Sequence, residues 1–412
     1  MPEFLHLLPP EEALQTWLQA VSHRMAAETV PAAEAWGRVL AEDVLAPHPM
    51  PPFDRSAVDG YAVRAADTYG ASDALPAYLA VVGEVPMGAA PDFGLQPGQA
   101  ALIHTGGMLP PGADAVVMVE YTQQARPGEV EILKAVAVGD HVIAEGEDVA
   151  AGAVVFPAGR RLRAAEIGGL MALGVLQVAV ARRPVVGIIA TGDEVVPPEA
   201  DPAPGQVRDI NTYTLSAEVR RAGGVLHPYG IVPDRPEALA AAASQALQAC
   251  DLVAVTAGSS ASTRDMTAEV LDGLGEPGVL VHGVNTKPGR PTILAVAAGK
   301  PVIGLPGNPV SALVNVGLFV LPALAHLQRE TPRPRPLLPA RLIVNLPSAS
   351  GREDWWPVRL RRAADGEWEA EPIFYKSNLI FALARADGLL KIPADATGLA
   401  AGETAGVLVA YD

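Results

Sequence analysis

A single cysteine stands among 412 residues, and that scarcity sets the first bounds. Cys250 has no partner in the chain for a disulfide, and a cysteine-based zinc site is excluded for the same reason. It ends an alanine-rich helical pattern, which suits a buried structural thiol better than a nucleophile. The eight histidines are scattered and show no HExxH spacing, so a histidine metal site is disfavoured as well. MPEFLHLLPPEEALQ lacks the basic start and long apolar stretch of a signal peptide, and the cytoplasm is the expected location. The most hydrophobic window, residues 314–327, is about one helix turn short of a span and contains Pro322, so no transmembrane segment is expected. Cations are the minority, 30 Lys and Arg against 46 Asp and Glu. The net charge of −16 opposes nucleic-acid binding, whose non-specific affinity comes mostly from phosphate neutralisation. A small anion is not excluded, because a few local cations, helix N-termini or a magnesium ion can hold one. Catalysis must then rest on carboxylates, Lys and Arg, hydroxyls or a bound ion.

The length exceeds one ordinary domain, and about two to four are expected. Apolar spacing predicts a helix over residues 10–26 and a second over 31–40. From 51 to 140 the texture changes to short apolar runs separated by Gly and Pro, a small β-rich unit. A helix at 164–173 follows, so the β-rich piece reads as an insertion between helical segments. Residues 183–327 alternate strand, turn and helix, which argues for a parallel sheet covered on both faces. ETPRPRPLLP, residues 330–339, is a stiff linker. Beyond it RLIVNL, WWPVRLRR, WEAEPI, LLKIP and GVLVAY form a small all-β terminal unit.

In open α/β sheets ligands bind beyond the carboxyl ends of the strands. Three loops qualify. Thr191-Gly192-Asp193-Glu194 follows VVGIIA, with a glycine for close approach and two acids for a metal. A hydroxyl-rich loop after DLVAVT carries Gly258 and Ser260 and ends in Asp265. Pro306-Gly307-Asn308-Pro309 follows PVIGL; Asn308 suits an N-cap and Pro309 the first helical position, which would leave an anion site at the helix start. Each loop alone is also an ordinary strand-to-helix turn. Lys287-Pro288-Gly289-Arg290-Pro291 is a rigid loop whose two cations can grip an oxyanion, or a solvated basic turn. PPFDRSAVDGYAV, residues 51–63, packs an unusual amount of polar chemistry into a turn.

Taken together, PPFDRSAVDGYAV, TGDEV, GSSASTRD, KPGRP and GLPGNPVSALV, in this order, resemble the molybdopterin molybdenumtransferases, the MoeA type that includes the gephyrin E domain. The resemblance covers essentially the whole chain. It implies a multidomain α/β and β protein: an elongated linker domain (1–50 and 141–177), an inserted β-rich domain (51–140), a three-layer molybdopterin-binding domain with a mostly parallel sheet (178–329) and a β-barrel-like C-terminal domain (330–412). It also implies molybdate insertion into adenylylated molybdopterin with release of AMP, a magnesium or similar ion, and a homodimer whose cleft receives Asp59 from the partner subunit. A transient contact with the adenylylating protein is implied too. By resemblance Thr105 and Asp148 match cleft residues, while Glu194, Asp234 and Asp265 match acids around nucleotide, pterin and metal, Glu194 and Asp265 holding the ion. Lys287 and Arg290 match cations near molybdate, with Arg352 and Ser377 as companions. Ser262 and Arg290 depart from the common Gly and Lys. Two alternatives stand beside this reading: a molybdopterin adenylyltransferase-like enzyme, whose relatives lack the PPFDRSAVDGYAV region and the terminal β unit, and a non-catalytic pterin-binding scaffold.

Overall fold

The computed structural model describes residues 7–257 and 261–409, the side chains of residue 125 and of 261–264 excepted. Its centre is a six-stranded sheet over residues 185–306. Val225–Val232, Val185–Thr191, Leu252–Ala257 and Lys300–Pro306 run parallel in that spatial order; the last three are buried on both faces, while Val225–Val232 is a partly exposed edge strand. Ile293–Ala297 and Pro277–His282 then add on antiparallel, so the sheet is mixed, with its parallel part in the majority. Helices Asn211–Arg221, Pro236–Ala249 and Ala261–Asp272 cover its faces. Cys250 is buried at the end of the second, as its neighbours suggest.

Pro309–Leu327 forms one helix of 19 residues with a wider turn at Val316–Val320, just ahead of Pro322, whose ring lacks an N–H to close the normal ladder. The expectation that this window falls short of a span is corrected by that length. By length and composition the helix passes as a membrane span, and yet Phe319, Val320, Leu324 and Leu327 are buried in the main core with Trp17 and Val21. Its hydrophobicity therefore serves packing.

The β-rich segment forms a second six-stranded sheet, including Gly60–Val63, Ala77–Glu84 and Gln99–Ile103. The terminal segment closes a five-stranded barrel from Leu338–Leu342, Glu353–Arg362, Trp368–Pro372, Gly388–Ile392 and Thr404–Val409. The N-terminal region departs from expectation. Its first helix stops at Ala20 because Val21 turns extended and the amides of Ser22 and His23 bond to the Gly299 carbonyl instead. No α-helix forms over 31–40: Ala27–Pro31 is a strand paired with Gln177–Ala181, and only a single helical turn, Ala32–Glu34, follows before Gly37 takes φ +73°. Alternating burial of Ala32, Ala35 and Leu40 against Leu162 and Leu170 imitated helical spacing.

One glycine fixes the geometry near the site. Gly289 lies at φ +106°, and a Cβ there would overlap the carboxamide of the fully buried Asn315, whose Nδ2 donates to the Ser311 carbonyl at 2.8 Å. Gly289→Ala is expected to cost about 3 kcal/mol, through strain at positive φ plus a steric clash. Denaturant unfolding checks this, and Asn315→Ala in the same chain should recover part of the loss.

Candidate functional site

At the carboxyl edge of the parallel strands lies a cavity of about 530 Å³. Ala257 and Pro306 end two of those strands, and Ile293 begins the antiparallel one beside them, so three strand ends form its floor. One wall is the loop 287–291, and the C-terminal unit adds Arg352, Trp356 and residues 375–377. The basic loop thus lies at a seam: Thr286–Lys287 pairs in parallel with Glu353 and Asp354 of the barrel. Buried Thr286 strengthens the seam by donating its hydroxyl to the Glu353 carbonyl at 3.2 Å.

Positive charge dominates this cavity. Four of its described lining residues are cations, Lys287, Arg290, Arg352 and Lys376, and none is acidic, in a chain that carries −16 overall. Asp354 sits behind the wall, fully buried. Arg352 donates Nε–H to its Oδ1 at 2.6 Å and Nη2–H to its Oδ2 at 3.0 Å, and Lys287 Nζ stands 4.0 Å from Oδ2. Lys287 Nζ also lies 5.5 Å from the Trp356 ring centre, the geometry of a cation over an aromatic face. Tyr375 packs edge-on to the same ring, and burial holds its phenol well above the ordinary value, so it stays a neutral donor to the Trp355 carbonyl.

Of the expected site residues, Lys287, Arg290, Pro306, Asn308, Arg352 and Ser377 are brought together at this cavity, with Gly307 and Pro309 in the same turn. The turn works differently from the sequence reading. Asn308 makes no side-chain cap; its Nδ2 donates to Ser377 Oγ at 3.0 Å, and the Val310 N–H, a free helix donor, goes to the Ser377 carbonyl at 3.1 Å. Pro309 has no N–H to offer, so the barrel itself occupies much of the expected anion site at the helix start.

Along the same sheet edge, Thr191 ends its strand buried, with no partner for Oγ1 among the described residues. Gly192 follows at φ +140°, where a Cβ would stand 2.8 Å from Glu194 Oε2. Asp234 receives no bond at its buried Oδ1 among the described residues, while its N–H donates to Asp193 Oδ1 at 3.3 Å. Glu194 and Asp265 are exposed, and among the described residues no three His, Cys, Asp or Glu side chains converge. Gly258 and Ser260 lie outside the described residues.

Asp59 and Thr105 meet as expected: the Thr105 amide donates to Asp59 Oδ1 at 2.7 Å and its hydroxyl at 3.1 Å. These bonds hold the Asp59 carboxyl below the usual carboxylate range. The opening motif is a lace between two segments. Ser56 and the carbonyl of Asp54 bond to Gly107 and Leu109 on one side, and Met50 and Pro51 accept from Asp148, Val149 and Gly146 on the other. Asp148 is exposed on that second segment. Gly60 is required because a Cβ would overlap the Val117 carbonyl. Among the described residues no hydrogen bond or ion pair links this group to the Lys287 cavity.

Sequence reasoning missed Lys376, Trp356 and Tyr375 at the cavity, although Tyr375 and Lys376 directly precede Ser377 in the chain. It missed His104, 3.0 Å from Glu84 and 3.8 Å from Asp59, although it adjoins Thr105. Asn211 was also missed, a buried residue donating to the Gly307 carbonyl at 2.9 Å. Thr105→Val removes one of the two donors to Asp59, and its carboxyl titration, followed by carbon NMR, is expected to move up toward the ordinary range.

Comparison with known proteins converges on one family. The model described as MoeA N-terminal region (domain I and II) matches residues 8–174, the probable molybdopterin binding domain matches 187–326, and the MoeA C-terminal region (domain IV) matches 339–410. Molybdopterin molybdenumtransferase 2 of Mycobacterium tuberculosis is 37% identical over 382 residues, 91% of this chain and 93% of that one. The molybdopterin molybdenumtransferase of Bacillus subtilis is 34% identical over 378 residues, 90% and 87% of the two chains. The crystal structure of the molybdopterin biosynthesis MoeA protein from Pyrococcus horikoshii OT3 superposes with a TM-score of 0.84 at 33% identity, covering 98% of this chain and 100% of that one. The chain belongs to the MoeA family of molybdopterin molybdenumtransferases.

Proposed function

We propose that the chain inserts molybdate into adenylylated molybdopterin and releases AMP, as a step of molybdenum cofactor biosynthesis. The observation that carries this reading is the cation-lined, acid-free cavity at the strand ends of an otherwise acidic protein. A doubly charged oxyanion needs fixed positive charge in a site partly withdrawn from water, where each cation acts more strongly than in bulk solvent. Arg352 is held in orientation by Asp354, and Lys287 by Trp356, so their charges are placed before substrate arrives. Their role is to bind and orient molybdate against the pterin nucleotide. Asp59, whose carboxyl the Thr105 bonds hold below the ordinary range, is an ionised acceptor at neutral pH; we assign it to the cleft of a homodimer, supplied across the interface, consistent with its absence from the cavity lining within one chain.

We assign Glu194 and Asp265 to a magnesium ion, with Thr191 and Asp234 nearby. The fit is supported by two buried oxygens without partners among the described residues, Thr191 Oγ1 at the end of one strand and Asp234 Oδ1 just past the end of its neighbour Val225–Val232. The lack of a dense acidic cluster also suits magnesium, which binds through one or two carboxylates and completes its shell with phosphate and water oxygens. Such an ion would neutralise the phosphates of the nucleotide. We further propose the location as cytoplasmic, a transient contact with the adenylylating protein, and four folding units at 1–50 with 141–177, 51–140, 178–329 and 330–412; the insert and the C-terminal unit each have a core of their own, whereas Trp17 and Val21 of the first unit pack into the core of the third. An isolated adenylyltransferase-like enzyme is disfavoured by the family matches on both sides of residues 187–326, and a pure scaffold leaves the four cavity cations without a task.

Purified protein with magnesium and adenylylated molybdopterin should release AMP only when molybdate is added. Asp59→Ala and Asp265→Ala should fold normally and lose at least about 100-fold in that rate, the scale of removing one electrostatic group from a site. Chelation by EDTA should abolish release and added magnesium restore it. Release at the wild-type rate in either variant, or in EDTA, would refute the corresponding assignment.

A further inference from the structure

Not all four cavity cations are equally available to a ligand. Arg352 is committed to Asp354 by two hydrogen bonds, and Lys287 shares that carboxylate at 4.0 Å. Arg290 and Lys376 have no ion pair among the described residues, and both line the cavity, one on the basic loop and one on the C-terminal segment 375–377.

Lys376 is also anchored on both sides. Before it, Tyr375 donates its hydroxyl to the Trp355 carbonyl and packs edge-on against Trp356 at 5.7 Å. After it, Ser377 receives Asn308 Nδ2 at its hydroxyl and the Val310 N–H at its carbonyl. Its own carbonyl accepts from Leu379 N–H at 2.9 Å. The backbone that carries the ammonium group is therefore clamped to the helix start beneath the cavity. A lysine is a compact point charge with three donors, suited to a tetrahedral oxyanion in any rotation. None of the sequence motifs that mark the family contains it.

We infer that Lys376, which lines the same cavity as Arg290, is the residue by which this chain selects a dianionic tetrahedral oxyanion over a monoanionic one of the same shape. The inference rests on the cavity being the oxyanion site. Coulomb attraction scales with ligand charge, so removing one cation weakens a dianion about twice as much, in free energy, as a monoanion. A residue that only held the wall in shape would weaken both alike.

The test is calorimetric binding of molybdate and of perrhenate, its monoanionic counterpart, to full-length wild type, Lys376→Gln and Lys376→Arg. Wild type should prefer molybdate. Lys376→Gln should lose about tenfold for molybdate and about threefold for perrhenate, the ratio that a twofold difference in charge gives. Lys376→Arg should restore most of the preference. In turnover the loss should fall on the KM for molybdate more than on kcat. Equal weakening of the two anions in Lys376→Gln, or an unchanged preference, overturns the inference while leaving the site assignment intact. Binding of neither anion by folded wild type overturns both together.

Discussion

Asp354 is a carboxylate with no exposure to solvent, and a buried charge of that kind survives only when it is paired and hydrogen-bonded. Its partners are two of the four cations that line the cavity. Arg352 reaches it with a two-pronged bond, and Lys287 approaches from a strand that pairs with Asp354 itself. The arrangement depends on three pieces meeting at one point: the basic loop, the barrel strand Glu353–Arg362 and the helix that begins at Pro309. A shift in any of them would leave Asp354 unpaired, which is expensive, so the requirement to compensate one buried charge also fixes the site.

The same three pieces are joined by apolar packing. Trp355 buries against Val310 and Val314 of the helix, and Asn315 of that helix receives the bare Cα of Gly289. Substrate cations are thus mounted on elements whose own positions are determined by a core. Pre-placed charge of this kind loses little by ordering when an anion arrives. The cluster of Asp59, Thr105 and His104 is mounted differently, on a turn exposed at the surface and stitched between two neighbouring segments. Rigid charge in the cavity and an accessible acid on the insert suit the proposed site between two subunits.

Much of this was legible in the sequence. The β-branched runs PVVGIIA, DLVAVTAG and PVIGL became central parallel strands, and all five short runs after residue 337 became barrel strands. The loops at their ends carried Lys287, Arg290, Asn308 and Ser377 to the cavity. What stayed hidden depended on partners far along the chain. Residues 31–40 showed helical spacing, but the strand Ala27–Pro31, paired with Gln177–Ala181, leads into a single helical turn that ends before Gly37. Asn308 looked like an N-cap, and only the arrival of Ser377, 69 positions away, turned its side chain elsewhere. Lys376 had no motif to announce it, because its place in the site comes from barrel closure and from the anchoring of its neighbours. Local pattern reports an element's type; it does not report which element will compete for its free donors.

The central claim is that molybdate sits between the basic loop and the barrel wall. Crystals of the protein soaked in molybdate, with anomalous data collected at the molybdenum absorption edge, would locate the metal directly. The account predicts a single strong peak in the cavity bounded by Lys287, Arg290, Arg352 and Lys376. A peak at the Glu194 and Asp234 edge of the sheet, with the cationic cavity empty, would contradict it.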